Sequence, residues 1–251
     1  MNGYYLTDQG QVRNHNEDDG GFFSNSNQQT LAVIADGMGG HKAGDVASQM
    51  ATSLLSDLWK ETEALLSPEA AEEWLTTSLE KVNKSILQYA QDHEECKGMG
   101  TTIVAVVCSK DFISIAHVGD SRCYLANDQG FKQITEDHSL VNELVRSGQI
   151  SKDDAEHHPR KNVLLKALGT EVGVQADVQS IGWEKGNRLL LCSDGLTNKF
   201  EEEELKEIVL ETTELKEIAQ SLIDMANERG GEDNISVVLI HHDEPSGEGE
   251  S

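Results

Sequence analysis

Aspartate adjoining or near glycine recurs at four places in this chain, each beside an apolar run: Ala35-Asp36-Gly37-Met38-Gly39-Gly40-His41, Gly119-Asp120-Ser121, Ser193-Asp194-Gly195 and Gly231-Glu232-Asp233-Asn234. One Asp-Gly pair is ordinary turn chemistry. Four at the ends of strand-like runs set carboxylates at strand ends, and glycine lets backbone carbonyls approach whatever those carboxylates hold. Carboxylates crowded together repel and raise one another's pKa, so they are costly unless compensated. The compensation implied is a divalent cation. All-oxygen ligation selects Mg²⁺ or Mn²⁺ over zinc, for which too few Cys or His accompany the cluster. Two such ions roughly 3.5–4 Å apart, bridged by one carboxylate, lower a water's pKa and clamp an in-line displacement at phosphorus.

The elements that must position these residues follow from hydrophobic period. Leu31 to Ala35 predicts a buried strand. From Ala43 the apolar positions Val46, Ala47, Met50, Ala51, Leu54, Leu55 and Leu58 form the stripe of a core-facing helix. Ser67-Pro68-Glu69 opens a second helix, with a capping serine, proline in the first turn and an acid at the positive end, and it stops near His93. Tyr4 to Thr7, Thr102 to Cys108, Phe112 to Val118, Arg122 to Leu125, Arg188 to Cys192 and Ile235 to Ile240 read as strands, the second to fourth of them as a meander of hairpins. Leu205 to Leu210 and Leu215 to Ala226 read as helices, and residues 139–165 as short helices in a polar surface segment. Strands and helices come in blocks with no βαβ alternation, which favours an α+β fold with antiparallel sheets. Asp36 and Asp194 end their strands, Asp233 starts one, Asp18 precedes the Gly20–Phe23 segment and Asp120 occupies a turn read as a hairpin. In antiparallel sheets the end of one strand and the start of its neighbour share an edge, so all five carboxylates can face one cleft.

Composition narrows the function classes. The 251 residues carry 45 acids against 20 bases, a net charge of -25. That balance disfavours nucleic acid and anionic membrane surfaces, and with them a nuclease. No apolar run reaches the roughly 20 residues of a membrane span. Met1-Asn2-Gly3-Tyr4-Tyr5 lacks a basic n-region and an h-region, so a cytoplasmic protein is expected. The four cysteines, Cys96, Cys108, Cys123 and Cys192, have no C-x-x-C spacing and none begins a Cys-x5-Arg run, which counts against zinc, redox and thiol-phosphatase chemistry.

The ordered set Thr7-Asp8-x-Gly10-x-x-Arg13-x-x-Asn16-Glu17-Asp18, Ala35 to His41, Gly98-Met99-Gly100-Thr101-Thr102, Val118-Gly119-Asp120-Ser121-Arg122, Cys192-Ser193-Asp194-Gly195 and Gly230 to Asn234 resembles the motifs of the metal-dependent type 2C protein phosphatases. The likeness spans about residues 4–240. Glu136 to Val141 and His157 to Val163 make it most similar to the compact bacterial members that act opposite membrane Ser/Thr kinases with PASTA repeats. The resemblance implies two packed antiparallel sheets flanked by helices, an α-β-β-α sandwich, in a catalytic domain over 1–241 with a flap at about 144–165 and an acidic tail over 242–251. It implies hydrolysis of phosphoserine and phosphothreonine on proteins by a metal-bridging water, with two Mn²⁺ or Mg²⁺ ions and a third, weaker site. Asp36 would bridge the ions, Asp194 and Asp233 would complete the first ion's ligands, and the Gly37 carbonyl would serve the second. Glu17 or Asp18 would orient metal-bound water, and Asp120 with Asp194 would match the third site. Arg13 would grip substrate phosphate, and His41 would protonate the leaving oxygen. The partners implied are phosphoproteins, the cognate kinase among them, with no nucleic acid and no membrane insertion, and a monomer is the default. No metal aspartate is missing, which argues against a pseudophosphatase. For His157 and His158 surface positions are expected.

Overall fold

The computed structural model of the chain describes residues 1–40 and 43–243. Among the described residues the strands are β1 (Asn2–Asp8), β2 (Asp18–Ser24), β3 (Thr30–Met38), β4 (Gly100–Thr101), β5 (Ile103–Cys108), β6 (Phe112–Val118), β7 (Arg122–Asn127), β8 (Gly130–Gln133), β9 (Asp177–Gly182), β10 (Arg188–Cys192) and β11 (Ile235–His241). They form two sheets, one ordered β1-β11-β10-β7-β8 and the other β2-β3-β5-β6-β9 with β4 beside β3. Every described pairing is antiparallel.

Alternation along β3 shows how the layers arise. Leu31, Val33 and Ala35 pack with α1 (Ala43–Lys60) and α2 (Pro68–Asp92), while Ala32 and Ile34 turn the other way. Those two join Val104, Val106, Ile113 and Ile115 of their own sheet against Leu189, Leu191, Val238 and Ile240 of the other. A strand buried on both faces reads as an unbroken apolar run, which Leu31 to Ala35 is. The opposite face of the first sheet, with Leu190, Cys192, Val237 and Leu239, lies in one cluster with Leu205, Ile208, Ile218, Leu222 and Ala226. The helices there are α6 (Glu202–Val209) and α7 (Leu215–Glu228). The result is the expected α-β-β-α sandwich. Ser67 caps α2 by accepting from the Ala70 amide at 3.3 Å, and the helix stops at Asp92 as expected. All four cysteines are free and buried among apolar side chains.

Two expectations change. β3 does not end before Asp36 but runs on through Met38, because β4 pairs with its last residues, Gly37 against Thr101 and Met38 against Gly100. The Gly119-Asp120-Ser121 segment is not a hairpin turn. β6 pairs with β5 and β9, whereas β7 pairs with β10 and β8, so the chain crosses there from one sheet to the other. Gly119, at φ +108°, supplies a backbone angle that L side chains rarely adopt. Strands β8 and β9, both rich in polar residues, carried no pattern by which they were expected. The polar segment after β8 contains α3 (Leu140–Arg146) and α4 (Lys152–Glu156) and re-enters at its root, where Leu140 N donates to Val163 O and Leu165 N to His138 O, each at 2.8 Å.

Candidate metal centre

Register brings the first two carboxylates together. In the β2–β3 pair Asp18 lies opposite Asp36 at the edge of the second sheet. The pairing between β3 and β5 breaks beside Asp36, where Thr102 intervenes: Asp36 N donates to Thr102 Oγ1 at 3.0 Å and Asp36 O accepts from Thr102 N at 2.8 Å. Thr101 Oγ1 donates to the same carbonyl at 3.0 Å. Gly37 follows in a place where a Cβ would lie 2.1 Å from Gly44 O, so α1 packs directly on the strand backbone. The Gly37 amide donates to Glu17 O at 3.0 Å, which fixes the segment leading into β2.

The first sheet supplies the others. Asp194 opens the short helix α5 (Asp194–Thr197) directly after β10, and Asn198 Nδ2 donates to its Oδ2 at 3.1 Å. Asp233 precedes β11, which pairs with β10, so the two lie at one edge. Two side chains tie that edge to the second sheet. Ser193 Oγ donates to Asp18 Oδ2 at 2.7 Å while accepting from Ser236 N at 3.0 Å. Asn234 accepts from the Glu17 amide at 2.8 Å and donates to the Gln9 and His15 carbonyls at 2.8 and 2.9 Å. Asp120, at the crossing between sheets, completes the group. Arg13 Nη2 donates to Asp233 Oδ2 at 2.7 Å across a partly exposed rim.

Burial and the neighbouring carboxylates raise most of these acids. Burial, then the Asp194 and Asp233 charges, push Asp18 up to about 7 against the hydrogen bonds it accepts. Burial, then Asp194 and Asp137, raise Asp120 to about 7, and burial with Asp233 raises Asp194 to about 6. Asp36 lies well above the usual carboxylate range through burial and the charges of Asp18, Asp194, Asp120 and Asp233. Burial also raises Glu17, with Asp45 and Asp233 adding to it and Arg13 opposing. The carboxylates line one cleft without closing to ligand spacing: among the described residues the only His/Cys/Asp/Glu trio whose donor atoms lie within 4.8 Å is His117, His138 and Asp177. Asp233, Asp194 and Asp18 each accept a hydrogen bond from a side chain of the protein, from Arg13, Asn198 and Ser193.

The residues fit hard divalent cations. The donors are carboxylate oxygens with the Gly37 carbonyl nearby, and Asp18 Oδ1 is buried with no hydrogen-bond partner. The structure thus brings Asp18, Asp36, Asp120, Asp194 and Asp233 to one edge, with Glu17, Gly37 and Arg13 beside them. His41 lies outside the described residues. His157 is exposed and His158 half-buried, both on the surface segment. Sequence reading assigned no role to Ser193 and Asn234, although both sit inside motifs it singled out.

The protein phosphatase 2C family profile matches residues 8–239. The chain belongs to that family. It is 51% identical over 243 residues to the serine/threonine phosphatase stp of Listeria monocytogenes, covering 97% of this chain and 96% of the relative. Protein phosphatase PhpP of Streptococcus pneumoniae is 40% identical over 243 residues, covering 97% and 98%. Among solved structures, the serine/threonine phosphatase of S. agalactiae superposes with a TM-score of 0.90 at 39% identity over 96% of this chain and 98% of that one. The catalytic domain of the phosphatase PstP, in complex with two manganese ions, gives 0.85 at 32% identity over 97% and 98%. These type 2C phosphatases share the two-sheet sandwich described above.

Proposed function

We infer that this chain is a metal-dependent protein phosphatase that hydrolyses phosphoserine and phosphothreonine on proteins and so reverses a Ser/Thr kinase. The observation that carries the reading is the meeting of five buried or half-buried aspartates from both sheets at one edge, with raised pKa values at Asp18, Asp36, Asp120 and Asp194 and an unpartnered oxygen on Asp18. Crowded, buried carboxylates are costly unless compensated, and an all-oxygen donor set suits compensation by a hard divalent cation. In this reading Asp36, Asp194, Asp233 and the Gly37 carbonyl hold two Mn²⁺ or Mg²⁺ ions, Asp120 with Asp194 contributes to a weaker third site, and Glu17 or Asp18 orients water. Bound cations supply activation of water and neutralisation of phosphate charge.

The chain's own residues do the rest. Arg13 presents a planar fork suited to two phosphate oxygens. Its partner is Asp233, and a cation held by that carboxylate would compete with the guanidinium for it and leave Arg13 available to substrate. Asn234, by anchoring Glu17, and Thr102, by anchoring Asp36, hold the ligand backbone still while charge on the cleft changes. His41 is the residue this reading assigns to protonation of the departing Ser or Thr oxygen. The catalytic unit spans residues 1–241 and the segment at about 144–165 forms a flap beside the cleft; of the acidic tail expected over 242–251, residues 244–251 lie outside the described residues. Its partners are phosphoproteins, including a cognate membrane kinase with PASTA repeats, met as a monomer in the cytoplasm. Among the described residues no helix is long and apolar enough to cross a membrane.

The test is release of phosphate from a phosphothreonine peptide with Mn²⁺ and then with excess chelator. Turnover is expected with the ion, lost with chelator and lost in Asp36→Asn and Asp194→Asn. Chelator-resistant turnover, or full activity in Asp36→Asn, would overturn the reading.

A further inference from the structure

His117, His138 and Asp177 bring two imidazoles and a carboxylate within 4.8 Å outside the aspartate cleft. Their geometry is wrong for a metal. The rings are stacked, centroids 4.7 Å apart and 10° from parallel. In-plane lone pairs of stacked rings run side by side, and an ion about 2 Å from one nitrogen in its plane lies far out of the plane of the other. A hydrogen bond excludes the tautomer that His138 would need as well. His138 Nδ1 accepts from the Gly119 amide at 3.1 Å, so the ring proton sits on Nε2, 3.4 Å from Asp177 Oδ1. His117 Nε2 meets the Glu136 carbonyl at 2.8 Å and carries its proton there.

What the trio does hold is the crossing between the sheets. Three consecutive residues, Glu136, Asp137 and His138, grip the chain on both sides of Asp120. Glu136 O takes His117, at the end of β6. His138 takes Gly119 twice, its backbone amide donating to Gly119 O at 2.9 Å and its ring accepting from Gly119 N. Asp137 takes Arg122, the first residue of β7, through Nε at 2.9 and 3.1 Å and Nη2 at 2.7 Å. Asp120 sits between Gly119 and Ser121, and Ser121 Oγ is itself 2.7 Å from Thr102 Oγ1, which also anchors Asp36. Asp177, joined to Lys166 Nζ at 3.3 Å, backs the His138 ring from β9.

We propose that His138, backed by Asp177, is the positioning residue that aims Asp120 into the carboxylate cleft, and that it thereby sets the affinity of the weak cation site to which Asp120 contributes. The inference rests on the reading of Asp120 as a cation ligand under Proposed function. A carboxylate on an unclamped glycine turn samples many directions, and a site short of one fixed ligand loses affinity while its neighbours keep theirs.

The test is Mn²⁺ binding to the full chain, counted by electron paramagnetic resonance titration, in wild type, His138→Phe, His138→Asn and Asp177→Asn. Phenylalanine keeps a flat ring against His117 but cannot accept from Gly119, whereas asparagine restores an acceptor close to Nδ1. In His138→Phe the weakest binding step should weaken by about tenfold or more with the tight steps within about twofold, as for loss of one supporting group around a metal ligand. His138→Asn should recover most of that loss, and the Gly119 amide, followed by hydrogen exchange in metal-free protein, should lose protection in the Phe variant and regain it in the Asn variant. A weak step unchanged in folded His138→Phe overturns the proposal, as does an Asn variant no better than Phe, which would make the ring mere packing. If His138→Phe fails to fold, Asp177→Asn at the exposed end decides, with a roughly threefold weakening expected and an unchanged weak step overturning the proposal. Wild type with no weak step at all would instead remove the Asp120 assignment on which this rests, whereas a weak step that survives in the variants removes only the role of His138.

Discussion

At the scale of single residues the cleft holds one exchangeable contact, Arg13 on Asp233. The guanidinium is half exposed, and the pull of Asp233 outweighs the burial that would lower its pKa, so it stays charged throughout any usable pH range. A charge-assisted hydrogen bond to phosphate contributes about 1.5–3 kcal/mol. Arg13→Ala should therefore lower kcat/KM by about 10- to 100-fold on a phosphothreonine peptide, chiefly through KM, while Mn²⁺ binding persists. Arg13→Lys should recover only part, because a point charge replaces a two-pronged donor. Initial rates over a substrate series at saturating Mn²⁺ decide it, and an unchanged kcat/KM would show that the fork never reaches substrate. Asn234 is the counter-case: its backbone amide donates to Asp233 Oδ1 at 2.9 Å, but its side chain ties Glu17, Gln9 and His15 to the start of β11.

At the scale of elements, close backbone approach and one ion pair carry the arrangement. A Cβ on Gly37 would lie 2.1 Å from Gly44 O, whereas one on Gly40 would meet nothing within 4 Å. Gly37→Ala should thus force β3 and α1 apart, costing about 1–3 kcal/mol as overpacking does and weakening tight Mn²⁺ binding, while Gly40→Ala leaves thermal stability unchanged. Thermal melts of the two variants with and without Mn²⁺ check the contrast. The Arg122–Asp137 pair, with side chains 30% and 13% exposed, closes the crossing beside Asp120. Removing one partner as Arg122→Met should destabilise by about 2 kcal/mol, below the range for fully buried pairs because water reaches the guanidinium; urea unfolding measures it, and Asp137→Asn in the same background should add little further loss. These elements also show what was legible in the chain. Strands with two apolar faces and helices with an apolar stripe announced themselves, as Leu31 to Ala35 and the Ser67-capped helix did. The pairing of β4 with the end of β3 depends on two residues, Gly100 and Thr101, too short a run to carry a period. The crossing at Gly119 reads as a hairpin because turn chemistry records a reversal or bend and not which sheet the next strand joins. Asp137 finds Arg122 at a separation of 15 residues, beyond any local pattern.

At the scale of the whole molecule, the sandwich joins two sheets at an edge where its ionised carboxylates oppose the joining. Without cations the folded chain keeps protons that the unfolded chain releases, since Asp18 and Asp120 lie at about 7 and Asp194 at about 6, against an ordinary value near 4. The slope of unfolding free energy with pH follows the protons bound unfolded minus those bound folded, which is negative across that window. Metal-free protein should therefore lose stability, read as a falling Tm, as pH rises from about 4 to about 7. Mn²⁺ requires the ionised carboxylates and binds only the fold, so with the ion present stability should rise over the same interval. The net charge of -25 adds its own decline at high pH. Asp18→Asn separates the two contributions. It keeps an acceptor for the Ser193 hydroxyl but cannot ionise, so the chelated variant should show a flatter pH profile than wild type. Melts in chelator and in Mn²⁺ at pH 5 and pH 8 are the measurement. A metal-free protein more stable at pH 8 than at pH 5 would mean that these carboxylates do not press on one another across the joint between the sheets.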